Sequence, residues 1–253
     1  MIIKNMRIKK NKIIHNVKNE IVENNNVKNE IVENNNIEAT INHYLNNGIT
    51  KLHLGCGSQY HDGYINIDFP EEKTIQQRLK KPDIETDFTK INFPTEKFDE
   101  IMFYHVFEHF QRHEAVGLLC IFNRILKNSG ICKIAVPDIF ACINIFLESP
   151  YVRKKEIIRH MWGSHEDFWA THQEGWYEDN LIECFNSCGF EPFHILKNGT
   201  KWPQIVIQGK KISKPNMEKI ILFLKDYDAG DSIIPRWINY IQSIFNKNQE
   251  YYS

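Results

Sequence analysis

Residues able to do chemistry gather in two parts of this 253-residue chain. The first is Leu52-His-Leu-Gly-Cys-Gly-Ser58, where two glycines stand one residue apart directly after an apolar run. A glycine turn at a strand end lets backbone approach a ligand that a Cβ would exclude. Asp68 closes the next apolar run, Tyr64-Ile-Asn-Ile, where a carboxylate can accept both hydroxyls of a ribose. The second part holds His160, His165, Asp167, His172 and Glu174 among Trp162, Trp169 and Trp176. Histidines and carboxylates can ligate a metal, but their spacing fits no common ligand pattern, so no metal is expected. A lid whose aromatics exclude water, with His165 or His172 orienting or deprotonating a nucleophile, is the more economical reading. An aromatic packing cluster with exposed histidines is the plainer one.

The glycine turn alone does not choose a ligand. Gly55 to Asp68 spans 13 residues, against roughly 20 in a dinucleotide fingerprint. Tyr60 sits where the third glycine of that fingerprint belongs. A nicotinamide dinucleotide is therefore disfavoured.

These residues need elements to hold them. Lys51-Leu-His-Leu reads as a strand, residues 64–68 as a second and Phe98–Tyr104 as a third, after a turn at Phe93-Pro94. Apolar residues from Phe107 to Leu126 follow a helical period, with a stop at Asn128-Ser-Gly130. Ile131 to Val136, Phe193 to Leu196 and residues 202–209 read as further strands, with a helix over 177–188. Alternation of this kind predicts a mostly parallel sheet covered on both faces. One element resists it: residues 56–63 are short for a parallel crossover, which normally needs ten or twelve. Upstream, VKNEIVENNN occurs twice in succession over residues 17–36. Ten residues are about 2.8 helical turns, so a continuous helix would smear its apolar stripe, and a mobile or partly helical arm is expected.

The stretch LHLGCGSQYHDGYINIDF resembles a subgroup of class I S-adenosylmethionine (SAM)-dependent methyltransferases. FDEIMFYHVFEHF, LKNSGICKIAVPD, HMWGSHEDFWATHQEGW and LIECFNSCGF resemble that subgroup's later elements in the same order, so the likeness covers about residues 50–210. Ser129 stands where the subgroup usually has glycine. The resemblance implies an α/β, Rossmann-like fold with a seven-stranded, mostly parallel sheet and a lid insertion. It divides the chain into an arm (1–36), a methyltransferase domain (37–211, with the lid at 139–176) and a helical tail (212–253). It implies that Gly55, Cys56 and Gly57 line the methionine part of SAM, that Asp68 holds the ribose, and that Asp87 and Phe88 meet the adenine. His105 would sit beside the sulfonium. Asp87 also reads as a turn or cap aspartate, and Glu108 as a helix cap.

A hydroxyl acceptor would want a general base, and histidine is poised near neutral pH. His172, then His105, then His165 are the candidates. Lookalikes suggest O-methylation of a sugar, nucleotide-activated sugar or phosphoramidate-type precursor in surface or capsule polysaccharide synthesis, with S-adenosylhomocysteine as co-product. Protein or nucleic-acid methylation and a non-catalytic SAM-binding subunit are the alternatives. Against base methylation, Tyr104-His-Val-Phe107 replaces the Asn-Pro-Pro-Tyr type sequence of amino-group methyltransferases.

A net charge of -1 gives no general pull toward nucleic acid or anionic membrane. No stretch approaches the ~20 apolar residues of a membrane span. Six cysteines without a Cys-x-x-Cys pair read as reduced thiols in a cytoplasmic protein. The stripe Trp237, Ile238, Ile241, Ile244 and Phe245 needs burial, on its own domain or in a homodimer, so monomer and homodimer both stand.

Overall fold

The computed structural model describes residues 36–70, 80–226 and 230–252; the duplicated segment at 17–35 lies outside them. Seven strands form one sheet in the order β3-β2-β1-β4-β5-β7-β6. They are β1 (Lys51–Leu54), β2 (Ile65–Asp68), β3 (Ile84–Glu85), β4 (Phe98–Tyr104), β5 (Leu126–Pro137), β6 (Phe190–Asn198) and β7 (Gln204–Lys211). β7 runs antiparallel to both neighbours, and the other pairings are parallel. Leu52, Leu54, Ile65, Ile67, Ile101, Phe103, Ile134 and Val136 are fully buried, as expected of strands covered on both faces.

The connection from β1 to β2 holds no helix, yet the two strands are parallel, with Leu52 opposite Ile65. Short-range bonds take the helix's place. Gly55 and Cys56 both donate their N–H to the Ile67 carbonyl. The Asn66 side chain binds the backbone of His61 and Tyr64. His61 and Tyr64 lay their rings beside buried His53, so the crossover packs on the sheet through its own aromatic side chains.

The helix after β4 begins at Arg112 rather than Phe107. Residue 105 leaves β4 with a left-handed φ of 55°, and Phe107–His109 make a 3-10 turn that buries Phe107 and Glu108. Helix α2 (Arg112–Ile125) then opens on a Gln111/Glu114 capping box. It also ends before the expected 128–130 stop, because Leu126 already pairs with Phe98 as the start of β5.

Preceding the sheet is α1, residues 36–46. The segment between β5 and the next sheet-covering helix contains α3 (Ile139–Glu148) and α4 (Tyr151–Trp162). Cys142, Ile157 and Met161 form a small core of their own there. Gly163 stops α4 at φ 85°, where a Cβ would lie 2.1 Å from the Ala170 carbonyl; only glycine fits. After α5 (Glu178–Ser187) and the last two strands come α6 (Met217–Lys225), α7 (Gly230–Lys247) and α8 (Gln249–Tyr252). Ile241 and Ile244 bury against α2, whose Gly117 leaves room for Ile244 and Tyr240. The C-terminal stripe is thus covered within the chain. All six cysteines are buried. Among the described residues no helix is long and apolar enough to cross a membrane.

Candidate active site

The connections from β1 lead one way to β2 and β3, and the chain later crosses back to β4 on the other side. That reversal opens a crevice at the carboxyl ends of the strands, where open α/β sheets bind ligands. The cavity there measures about 420 Å³ and is walled by Gly55, Gly57, Asp68, Asp87, Phe88 and His105, among others. These residues converge from four separate strand ends.

Each is held by identifiable bonds. Gly55 and Gly57 have φ of 66° and 55°, and a Cβ on Gly55 would stand 2.5 Å from Val106 Cγ2. Asp68 ties the loop shut: its Oδ2 accepts from the Gly57 N–H and its Oδ1 from the Phe69 N–H. Asp87 does act as a cap, its Oδ1 accepting from the Thr89 N–H and hydroxyl, and it still lines the cavity. Phe88 is buried edge-on against Phe103 and offers the cavity only part of its ring. Cys56 turns its thiol inward at 5% exposure and is not a wall of the cavity; its N–H serves the loop instead.

A second cavity of about 470 Å³ adjoins the first and shares His105, His109 and Trp169 with it. Its other walls include Glu108, Arg159, His160, His172 and Trp202. The insertion reaches this place through long-range bonds. The Glu108 carbonyl accepts N–H bonds from Gln173 and Glu174, and Arg112 pairs with Glu174 at 2.9 Å. Trp176 is not part of a lid surface: it is fully buried and stacked on Phe107. Trp162 is half exposed. His165 is exposed and lines neither cavity.

Glu108 lines the second cavity, next to His109 of the shared wall. It caps no helix; its side chain is 1% exposed and neither oxygen has a hydrogen-bond partner. His105 Nδ1 stands 3.5 Å from Oε1 and His172 Nε2 stands 4.0 Å from it. Burial opposes the charge on Glu108, yet His105, His109 and His172 around it outweigh burial and lower its pKa. For His105, burial pulls the pKa down, while Glu108 and Gln204 more than reverse this and leave it raised. His172 is lowered, chiefly by burial. Gln204, at the start of β7, sits 2.6 Å from His105 Nε2. No sequence signal marked it, because it comes from a strand at the far side of β5.

Residues 52–134 match a methyltransferase-domain family model. The matched span holds the glycine turn, Asp68, Asp87 and His105, so the chain carries a methyltransferase domain, an enzyme fold whose methyl donor is SAM. The cavity's lining is compatible with that donor: a left-handed glycine turn, a carboxylate at the end of β2 and a partly apolar far wall. No curated protein matches the chain. Among solved structures it is similar to a SAM-dependent methyltransferase of Methanosarcina mazei, at 15% identity and TM-score 0.45, covering 65% of this chain and 92% of that one. It is also similar to the 1,6-didemethyltoxoflavin-N1-methyltransferase of Burkholderia thailandensis, solved with S-adenosylhomocysteine, at 12% identity and TM-score 0.43, covering 69% and 77%. A third is a methyltransferase of Haloferax volcanii in complex with the Trm112 activator, at 17% identity and TM-score 0.44, covering 69% and 89%.

Proposed function

We propose that the protein methylates an oxygen of a small polar acceptor held in the second cavity, with residues 139–176 as its lid. The acceptor class is a sugar, nucleotide-activated sugar or phosphoramidate-type precursor of surface polysaccharide. The observation that carries this reading is the wall of His105, His109 and Trp169 common to both cavities. A methyl group has to pass between two ligands in line, and this wall is where two ligands would meet.

In the first cavity Gly55 and Gly57 admit the amino-acid end of SAM, Asp68 takes the ribose hydroxyls, and Asp87 and Phe88 border the adenine. Bound there, SAM supplies a methyl whose S–C bond breaks as the acceptor's O–C bond forms, leaving S-adenosylhomocysteine. The chain's own task is alignment and handling of the acceptor's proton. The proton leaves toward the cluster of His105, His172 and Glu108, while Trp169, which lines both cavities, covers the path. The second cavity's polar walls, Arg159 and His160 included, suit a hydroxylated or anionic acceptor. Such an acceptor fits a cytoplasmic protein working as monomer or homodimer, without nucleic acid or membrane as partner.

The test is a calorimetric titration of SAM into wild type and Asp68→Ala, followed by an acceptor screen that follows S-adenosylhomocysteine release. Micromolar binding lost in the variant, and turnover with a sugar or phosphoryl-type acceptor, is the expected result. Failure of the well-folded wild type to bind SAM would overturn the reading.

A further inference from the structure

We infer that Glu108, His109 and His172 form a site for a divalent transition-metal cation, with Zn(II) its representative, in the wall of the second cavity. A carboxylate oxygen of Glu108 and one ring nitrogen of each histidine lie within 4.8 Å of one another. Donor atoms bound at ~2.0–2.2 Å to one tetrahedral zinc stand about 3.4 Å from one another, and small side-chain rotations bring these three to that spacing. The carboxylate is fully enclosed and both its oxygens lack hydrogen-bond partners. Imidazoles are the groups that face this buried carboxylate, His105 at 3.5 Å and His172 at 4.0 Å, and a cation held between it and the histidines would meet its charge more directly.

The two imidazoles are already in the form that ligation needs. His172 Nδ1 faces the Met161 carbonyl at 3.1 Å, and His109 Nδ1 faces the Thr171 carbonyl at 3.1 Å. A carbonyl only accepts, so the ring proton sits on Nδ1 and the lone pair on Nε2. Metal-binding histidines are commonly supported this way, with the far N–H donated to a carbonyl. Two imidazoles and one carboxylate select a first-row transition ion over Mg²⁺ or Ca²⁺. Three protein ligands leave a coordination position open, and all three residues line the second cavity. An acceptor hydroxyl on that position would be oriented and would lose its proton more readily, with His105 rather than the metal-bound His172 as the group that takes it. That role rests on the acceptor reading above; the binding of the ion does not.

The arrangement has no sequence signature because its ligands come from different elements. Glu108 and His109 share a 3-10 turn, while His172 arrives on the returning limb of the insertion, fixed by the bonds of Gln173 and Glu174 to the Glu108 carbonyl.

The full chain, stripped with a chelator and dialysed, is titrated with Zn²⁺ by calorimetry and with Co²⁺ by visible absorption. One Zn²⁺ per chain at micromolar affinity or better, and Co²⁺ d–d bands that Zn²⁺ abolishes, are expected. Glu108→Gln, His109→Gln and His172→Ala should each weaken Zn²⁺ binding at least tenfold and lose the Zn²⁺-induced rise in Tm. His43→Ala, on the exposed face of α1, should bind as wild type does. His172→Gln replaces the alanine variant if that one fails to fold. Absence of Zn²⁺ binding at millimolar concentration, or binding unchanged in Glu108→Gln and His172→Ala, overturns the site. SAM is titrated in parallel: SAM binding without Zn²⁺ binding removes only the metal site, whereas loss of SAM binding in wild type removes the methylation reading.

Discussion

The two cavities are built by opposite means. The cofactor crevice is assembled from neighbours in sequence: Gly55, Gly57 and Asp68 lie within one strand-turn-strand unit whose bonds close on themselves. The second cavity depends on a distant segment folded back onto the turn after β4, held by Arg112, Glu174 and the Glu108 carbonyl. A locally closed site keeps its shape through neighbouring hydrogen bonds, whereas the remote one stands or falls with a few long-range contacts.

Arg112→Ala is the largest blow to that contrast. It takes the ion-pair partner from the largely buried Glu174, at a cost of about 4 kcal/mol in urea unfolding. If the halves are built separately, the folded variant should retain SAM affinity within about threefold, a tenfold window being about 1.4 kcal/mol. A collapse of SAM binding would show that the halves are one unit.

The cofactor side has its own weak point in acid. His53, buried under the crossover, has its pKa lowered to about 4 by burial, although its bond to Asn66 opposes this. Its folded pKa lies below the unfolded value of about 6.5, so the unfolded chain binds the extra proton between them. Stability is therefore full above pH ~6.5 and falls by about 3 kcal/mol as pH drops toward 4. Denaturant melts at stepped pH should show this slope, and His53→Gln should flatten it.

Asp68→Ala comes next, removing the carboxylate that two backbone N–H groups share. SAM affinity should fall by about 100-fold, or about 2.7 kcal/mol, in calorimetry, while the Arg112–Glu174 contact persists. The smallest effect is expected for Gln204→Ala. His105 loses its Nε2 partner, worth about 1 kcal/mol, so turnover should drop several-fold with SAM affinity unchanged.

The same contrast decides what the sequence could reveal. The strands other than β3, the glycine turn and Asp68 were legible because periodicity and a short motif report local structure; β3, only Ile84–Glu85, is too short to show a period. The parallel β1–β2 pair was legible only through family resemblance, since its crossover is held by the side chain of Asn66 rather than by a helix. Glu108 reads as a cap in sequence because it opens a turn. Only the returning limb of the insertion shows that it is enclosed by imidazoles. His172 stands ahead of His165 as a base candidate in sequence, and the fold gives the physical difference: the left-handed residue His165 faces solvent while His172 is drawn in by the Trp162 and Met161 carbonyls. Gln204 carried no signal, because strand order, not spacing, brings β7 beside β5.

The crossover between β1 and β2 also sets a rule for how this chain can vary in length. Its first residues are registered on Ile67 and Asp68, and its last are gripped by Asn66. Residues 58 and 59, between those anchors, are exposed, so an added residue there keeps the turn only if both anchors stay in place. By contrast, the chain between β5 and α5 already carries two helices and a return limb beyond what a strand-to-helix link requires. Lengthening at the first place changes whether a donor can be held at all; lengthening at the second changes only what can be brought to it.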